Sequence, residues 1–129
     1  MNTIRVSTKL SNDKELDIKY PVLLKDKDDN TVYYENEHGY WFKYEREGDN
    51  YIRYENSDNY WEEHKYKDGH KVYYENSEGK WKKFEYEDGK CVYFENSSGY
   101  WYRQMYRNGK FIWFENSNGN LILNHFVIR

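Results

Sequence analysis

The sequence predicts an all-β fold, an antiparallel meander of tandem β-hairpin repeats forming an extended, twisted or curled sheet. Three observations carry that reading. Aromatic residues make up 21% of the chain while alanine is absent, so strand formers abound and the best helix former is missing. The block V-Y-Y-E-N at 32–36 returns as I-R-Y-E-N, V-Y-Y-E-N, V-Y-F-E-N and I-W-F-E-N at 20-residue intervals. Glycine marks a half-period of 10 residues, at Gly69, Gly79, Gly89, Gly99, Gly109 and Gly119. Gly39 and Asn59 keep the same beat, and only Gly48 falls one place early.

The N-terminal segment, 1–31, contains I-R-V-S, L-D-I-K-Y and V-L-L around the only proline, Pro21, and is expected to supply two or three irregular cap strands. Residues 32–120 form the array of five repeats, with Trp41, Trp61, Trp81 and Trp101 in one phase and Leu121 where the fifth Trp would stand. The aliphatic L-I-L-N-H-F-V-I-R at 121–129 reads as a terminal cap strand shielding the other edge. The whole makes one domain of about eleven to thirteen strands.

The punctuation S-E-G, E-D-G, S-S-G, R-N-G and S-N-G suits three-residue loops, each a type I turn closed by a left-handed glycine. Asn59 is the best non-glycine substitute at such a position. Three-residue loops keep even-numbered residues on one face, among them Val72, Tyr74, Phe84, Tyr86, Val92, Phe94, Tyr106, Ile112 and Phe114. The odd face mixes aromatics with charge: Tyr73, Glu75, Trp81, Lys83, Glu85, Tyr93, Glu95, Trp101 and Arg103. Two-residue loops would flip this parity at every turn.

Composition excludes several classes. No apolar run approaches the roughly 20 residues of a membrane span. The opening M-N-T-I-R-V-S-T-K-L lacks the charged and apolar regions of a secretory signal, and the lone Cys91 forms no internal disulfide or multi-cysteine metal site. The expected setting is reducing and cytoplasmic. The net charge of −3 suits neither a duplex binder nor a DNA mimic.

The pattern Y-x-D-G-K-x-V-Y-Y-E-N-S-x-G resembles the MORN-variant repeats of YwqK-type bacterial antitoxins and the tyrosine-aspartate repeats of RHS-like proteins. It is also similar to tandem Y-E-N-S-x-G-Y-W repeats of phage and prophage proteins, and to choline-binding cell-wall repeats. The likeness covers roughly residues 32–120; the T-G-W step of cell-wall repeats and the extra glycine of MORN units are missing. It implies hairpin-repeat architecture and no family-specific binding residue.

A search for chemistry ends quickly. His38, His64, His70 and His125 form no paired motif and read as solvated polar residues. Glu62-Glu63-His64 lies in a strand, where neighbours point to opposite faces. Cys91 reads as a small residue preceding a strand, and the glycines are turn glycines without a phosphate loop. The chain is expected to have no catalytic, cofactor or metal site.

Surface remains. A ladder of Trp41, Trp61, Trp81 and Trp101 runs along the odd face at about 9.6 Å intervals. Charge is uneven: residues 31–99 carry net −6 and residues 100–129 net +3. The expected function is a non-catalytic protein-binding inhibitor of a phage or mobile element, of anti-CRISPR-like, antitoxin or immunity type. Its partner would be a protein such as a nucleic-acid-processing defence enzyme or a toxin, with no membrane involved. The expected contact residues are Trp81, Tyr93, Trp101, Arg103, Arg107 and Trp113, since aromatics beside arginine make interface hot spots. An acidic ladder of Glu35, Glu55, Glu75 and Glu95 is the alternative contact. Glycan or cell-wall binding is the rival class, and single-stranded nucleic acid stacked on the aromatic face a weaker third.

Overall fold

A computed structural model describes residues 19–124 of the chain. The expected cap segments I-R-V-S and L-D-I, and the terminal H-F-V-I-R with His125, lie outside the described residues.

The described residues form eleven strands and no helix. They are β1 (Val22–Lys25), β2 (Thr31–Glu35), β3 (Trp41–Glu47), β4 (Asn50–Asn56), β5 (Trp61–Lys67) and β6 (His70–Asn76). Then follow β7 (Trp81–Glu87), β8 (Lys90–Asn96), β9 (Trp101–Arg107), β10 (Lys110–Asn116) and β11 (Leu121–Leu123). The pairing order is β1 through β11 in sequence, an antiparallel meander. The chain divides into two compact units, residues 1–62 and 63–129, with the boundary inside β5.

Two kinds of turn alternate, and each follows from its residues. After every E-N the asparagine organises the loop. The Asn96 Oδ1 accepts the N–H groups of Ser98 and Tyr100 at 3.0 and 3.2 Å, while the Gly99 N–H donates to the Asn96 carbonyl. Asn36, Asn56, Asn76 and Asn116 repeat this arrangement, and Asp26 does so before β2. These are the expected three-residue loops, with Asn59 at φ 64 doing the work of glycine.

The other turns correct the expectation. Glu87 faces Lys90, so Asp88-Gly89 is a two-residue loop, and both residues have positive φ, as in a type I′ turn. Such a loop alone would invert the parity of the next strand. A one-residue β-bulge prevents this: Tyr86 faces Cys91 while Glu85 faces Tyr93, leaving Val92 extra. The same shift recurs at Ile52 in β4 and Ile112 in β10. Even-numbered residues therefore stay on one face through bulges as well as loop length. Gly48 stands early because the first hairpin needs positive φ at the first central position and not at Asp49, the pattern of a type II′ turn.

In the first unit, the even face stacks Tyr34 on Phe42 at 5.1 Å and Tyr44 near Tyr54 at 5.0 Å. Its odd face is the more deeply buried one. Tyr33 and Trp41 are buried and stacked, and Glu35 is wholly buried and accepts the Tyr33 hydroxyl at 2.9 Å. Trp41 is further fixed by Ser57, whose hydroxyl accepts the Trp41 N–H and whose own N–H donates to the Trp41 carbonyl.

In the second unit, Phe84, Phe94, Tyr102 and Phe114 make a continuous aromatic row on the even face, with centroids 5.2–5.5 Å apart. His64 is buried on that face against Tyr74, 5.1 Å away, which corrects its reading as a solvated residue. Its even position puts it in phase with the aromatic row. Ser97 and Ser117 hold Trp81 and Trp101 as Ser57 holds Trp41. At the edge, β11 pairs with β10, but Leu121, Ile122 and Leu123 remain more than half exposed.

Candidate functional site

The odd face of the second unit brings together most of the residues expected to make contact. Strand register places Glu85, Tyr93, Arg103, Glu115 and Leu121 in one cross-strand row over β7 to β11. A parallel row holds Tyr73, Lys83, Glu95 and Trp101. Met105, Trp113 and Leu123 form the next row on the other side of Arg103.

Arg103 is the centre of this surface. Its guanidinium lies 5.7 Å from the Trp101 ring and 5.8 Å from the Trp113 ring, between the two. The Arg103 Nε and Nη2 both donate to Glu115 Oε1. Although so engaged, the Arg103 side chain is 57% exposed, leaving donors directed to solvent. Tyr93, directly across from Arg103, donates its hydroxyl to Glu95 at 3.1 Å. Burial and that carboxylate push the Tyr93 hydroxyl above its ordinary pKa.

The other expected residues lie apart. Trp81 is on β7, its ring covered by the Lys83 ammonium at 5.0 Å. Arg107 sits at the far end of β9 opposite Lys110, exposed beside the Asn108-Gly109 turn. The alternative acidic ladder is not uniformly presented. Glu35 and Glu55 are buried, the latter paired with Lys43 at 3.1 Å, while Glu75 and Glu95 are half-buried and accept tyrosine hydroxyls.

Sequence reasoning placed Lys83 on this face but not beside the contact residues, and it did not place Met105 at all. A signal for the first was present: a cation follows each of Trp41, Trp81 and Trp101 by two residues, as Lys43, Lys83 and Arg103. Strand parity places that cation beside the indole, and hairpin register places it opposite the glutamate twelve residues on. Trp61 departs from the rule, with Glu63 at that position and Arg53 from β4 over its ring at 5.2 Å.

Cys91 lies within β8 and not before it, half-buried on the even face. It receives the Tyr102 hydroxyl at 3.4 Å and points its thiol at the Tyr93 carbonyl. Burial first and the Cys91 thiol second push the Tyr102 hydroxyl well above the usual tyrosine range. Among the described residues, no three of His, Cys, Asp and Glu come together as a metal-holding group, and no helix is long and apolar enough to cross a membrane. The odd face of the second unit presents indoles, a partly exposed guanidinium and an adjacent row of carboxylates. No protein-family model matches the chain, and no curated protein matches its sequence.

Proposed function

We propose that this chain is a non-catalytic protein-binding module that docks through the odd face of its second unit. The observation that carries the reading is Arg103 held between Trp101 and Trp113 and still more than half exposed. Arginine and tryptophan dominate binding hot spots because they combine large desolvated area with directional donors. Here the guanidinium is already oriented by Glu115, so little side-chain entropy is lost on contact. The phage-type repeat resemblance and the small size suit an inhibitor of a toxin or a nucleic-acid-processing defence enzyme, acting in the host cytoplasm.

The same geometry argues against glycan stacking as the principal role. Sugar rings need free indole faces, whereas cations of this chain lie over the Trp61, Trp81 and Trp101 rings.

The test is affinity capture from the natural host, followed by calorimetry with the partner identified. The wild-type chain is expected to bind one protein stoichiometrically, and Arg103→Glu with Trp113→Ala to lose it while keeping its strand signature by circular dichroism. Undiminished binding by that variant would move the docking face elsewhere. Co-sedimentation with cell walls in the absence of any protein partner would favour the glycan reading.

A further inference from the structure

On the even face of the second unit, opposite the docking face, a cleft of about 530 Å³ opens between the Asp68-Gly69 and Asp88-Gly89 turns. Its apolar wall is Val72, Phe84 and Tyr86, and His70 stacks on Tyr86 with centroids 4.6 Å apart. The lining carries two turn carboxylates, Asp68 and Asp88, against the single ammonium of Lys67. A cleft of this size falls within the range of small-ligand and side-chain pockets.

The repeat supplies its own comparison. One period later the corresponding cleft, lined by Asp88, Val92 and Tyr106, measures only about 80 Å³. There Lys90 takes the place of His70 and sets its ammonium 4.9 Å from the Tyr106 ring centroid. One period earlier, Tyr66 has Lys71 at 6.0 Å. At Tyr86 both cation-bearing positions are changed: Cys91 stands where Lys71 would correspond, and His70 where Lys90 would. Among the described residues no cation lies over the Tyr86 ring. The chain thus places its own cation at two equivalent tyrosines and leaves an acid-rimmed aromatic cleft at the third.

We infer that the Tyr86 cleft receives an arginine side chain from a protein ligand, its guanidinium lying against Tyr86 and His70 and pairing with the Asp68 and Asp88 carboxylates. A planar guanidinium stacks on aromatic faces while keeping its edge donors for carboxylates, which a lone ammonium does less well. The Lys90–Tyr106 arrangement is the intramolecular counterpart of this contact. The inference goes beyond the odd-face reading, because the cleft needs no partner on that face.

The test is a ¹H–¹⁵N NMR titration of the full chain with N-acetyl-arginine methylamide, and in parallel with its uncharged citrulline analogue. Saturable shifts are expected at Gly69, Tyr86 and Gly89 with the arginine probe and not with citrulline. His70→Lys, which installs the cation found one repeat later, should weaken the arginine response about tenfold. Lys90→His should open the second cleft and add shifts at Gly109. The inference is overturned if Gly69 and Gly89 do not respond, if citrulline acts equally, or if the shifts centre on Trp101 and Trp113. An unchanged response in both the His70→Lys and Lys90→His chains would also overturn it. Because the free chain and a small probe are used, failure here leaves the partner-capture experiment standing, and the reverse.

Discussion

The two units use one motif in opposite ways. In the first, the odd-face residues Tyr33, Glu35, Trp41 and Glu55 are buried and act as core. In the second, Tyr73, Glu75, Trp81, Glu95 and Trp101 occupy equivalent strand positions but are only half-buried, and Arg103 is exposed among them. The letters Y-x-E, N-S and W-x-[KR] are the same; their energetic role is set by what surrounds them. A repeat can therefore specify backbone and register throughout while leaving each face free to become interior or surface. The first unit buries these odd-face aromatics, and the second leaves them half-buried.

Tryptophan truncation gives the largest expected contrast. Trp41→Ala removes a buried indole stacked on Tyr33 and should cost about 4 kcal/mol, whereas the half-exposed Trp101→Ala should cost about half as much. Urea unfolding followed by circular dichroism measures both; equal costs would break the comparison. The carboxylates offer a smaller version of the same contrast. Glu35→Gln alters a fully buried carboxyl group bonded to Tyr33 and should cost about 2 kcal/mol. Glu95→Gln, half-buried beneath Tyr93, should cost no more than about 0.5 kcal/mol by the same measurement.

The even-face tyrosines should blur the contrast. The Tyr54 hydroxyl, then burial, push Tyr40 in the first unit up to about 12, and burial with Cys91 raises Tyr102 in the second. Both hydroxyls hold their protons more tightly in the folded state than the ordinary value of 10.0 allows. Their stabilising contribution is thus complete below about pH 10; that of Tyr40 is lost as pH rises through about 12, and that of Tyr102 falls away over the same alkaline rise and above it. Tyr40→Phe and Tyr102→Phe should each flatten the alkaline fall in thermal midpoint between those limits. A flattening in only one unit would extend the difference to both faces.

Much of the fold could be read in the sequence because turn chemistry is local. The 20-residue period, the Asn59 substitution and the E-N turns needed only residue types and spacing. The bulges escaped because a two-residue loop plus one extra strand residue occupies the same number of positions as a three-residue loop. The D-G and N-G dipeptides were the available signal, since they favour type I′ turns over bulged three-residue loops. His64 was misread because its polarity was weighed above its even phase, where Tyr74 covers it. At the candidate site, Trp101, Arg103 and Trp113 were identifiable by composition, yet their convergence was not. It depends on the bulge at Ile112, which sets Trp113 opposite Met105 and so beside Arg103. Depth of burial was the least legible property, because equivalent residues in the two units differ in it without differing in sequence.

The most direct measurement is ¹⁹F NMR of the chain labelled with 5-fluorotryptophan, with resonances assigned by single Trp→Phe variants and broadened by a soluble nitroxide. The account predicts that Trp41 stays sharp while Trp81, Trp101 and Trp113 broaden. A Trp41 resonance broadened as strongly as that of Trp101 would contradict it.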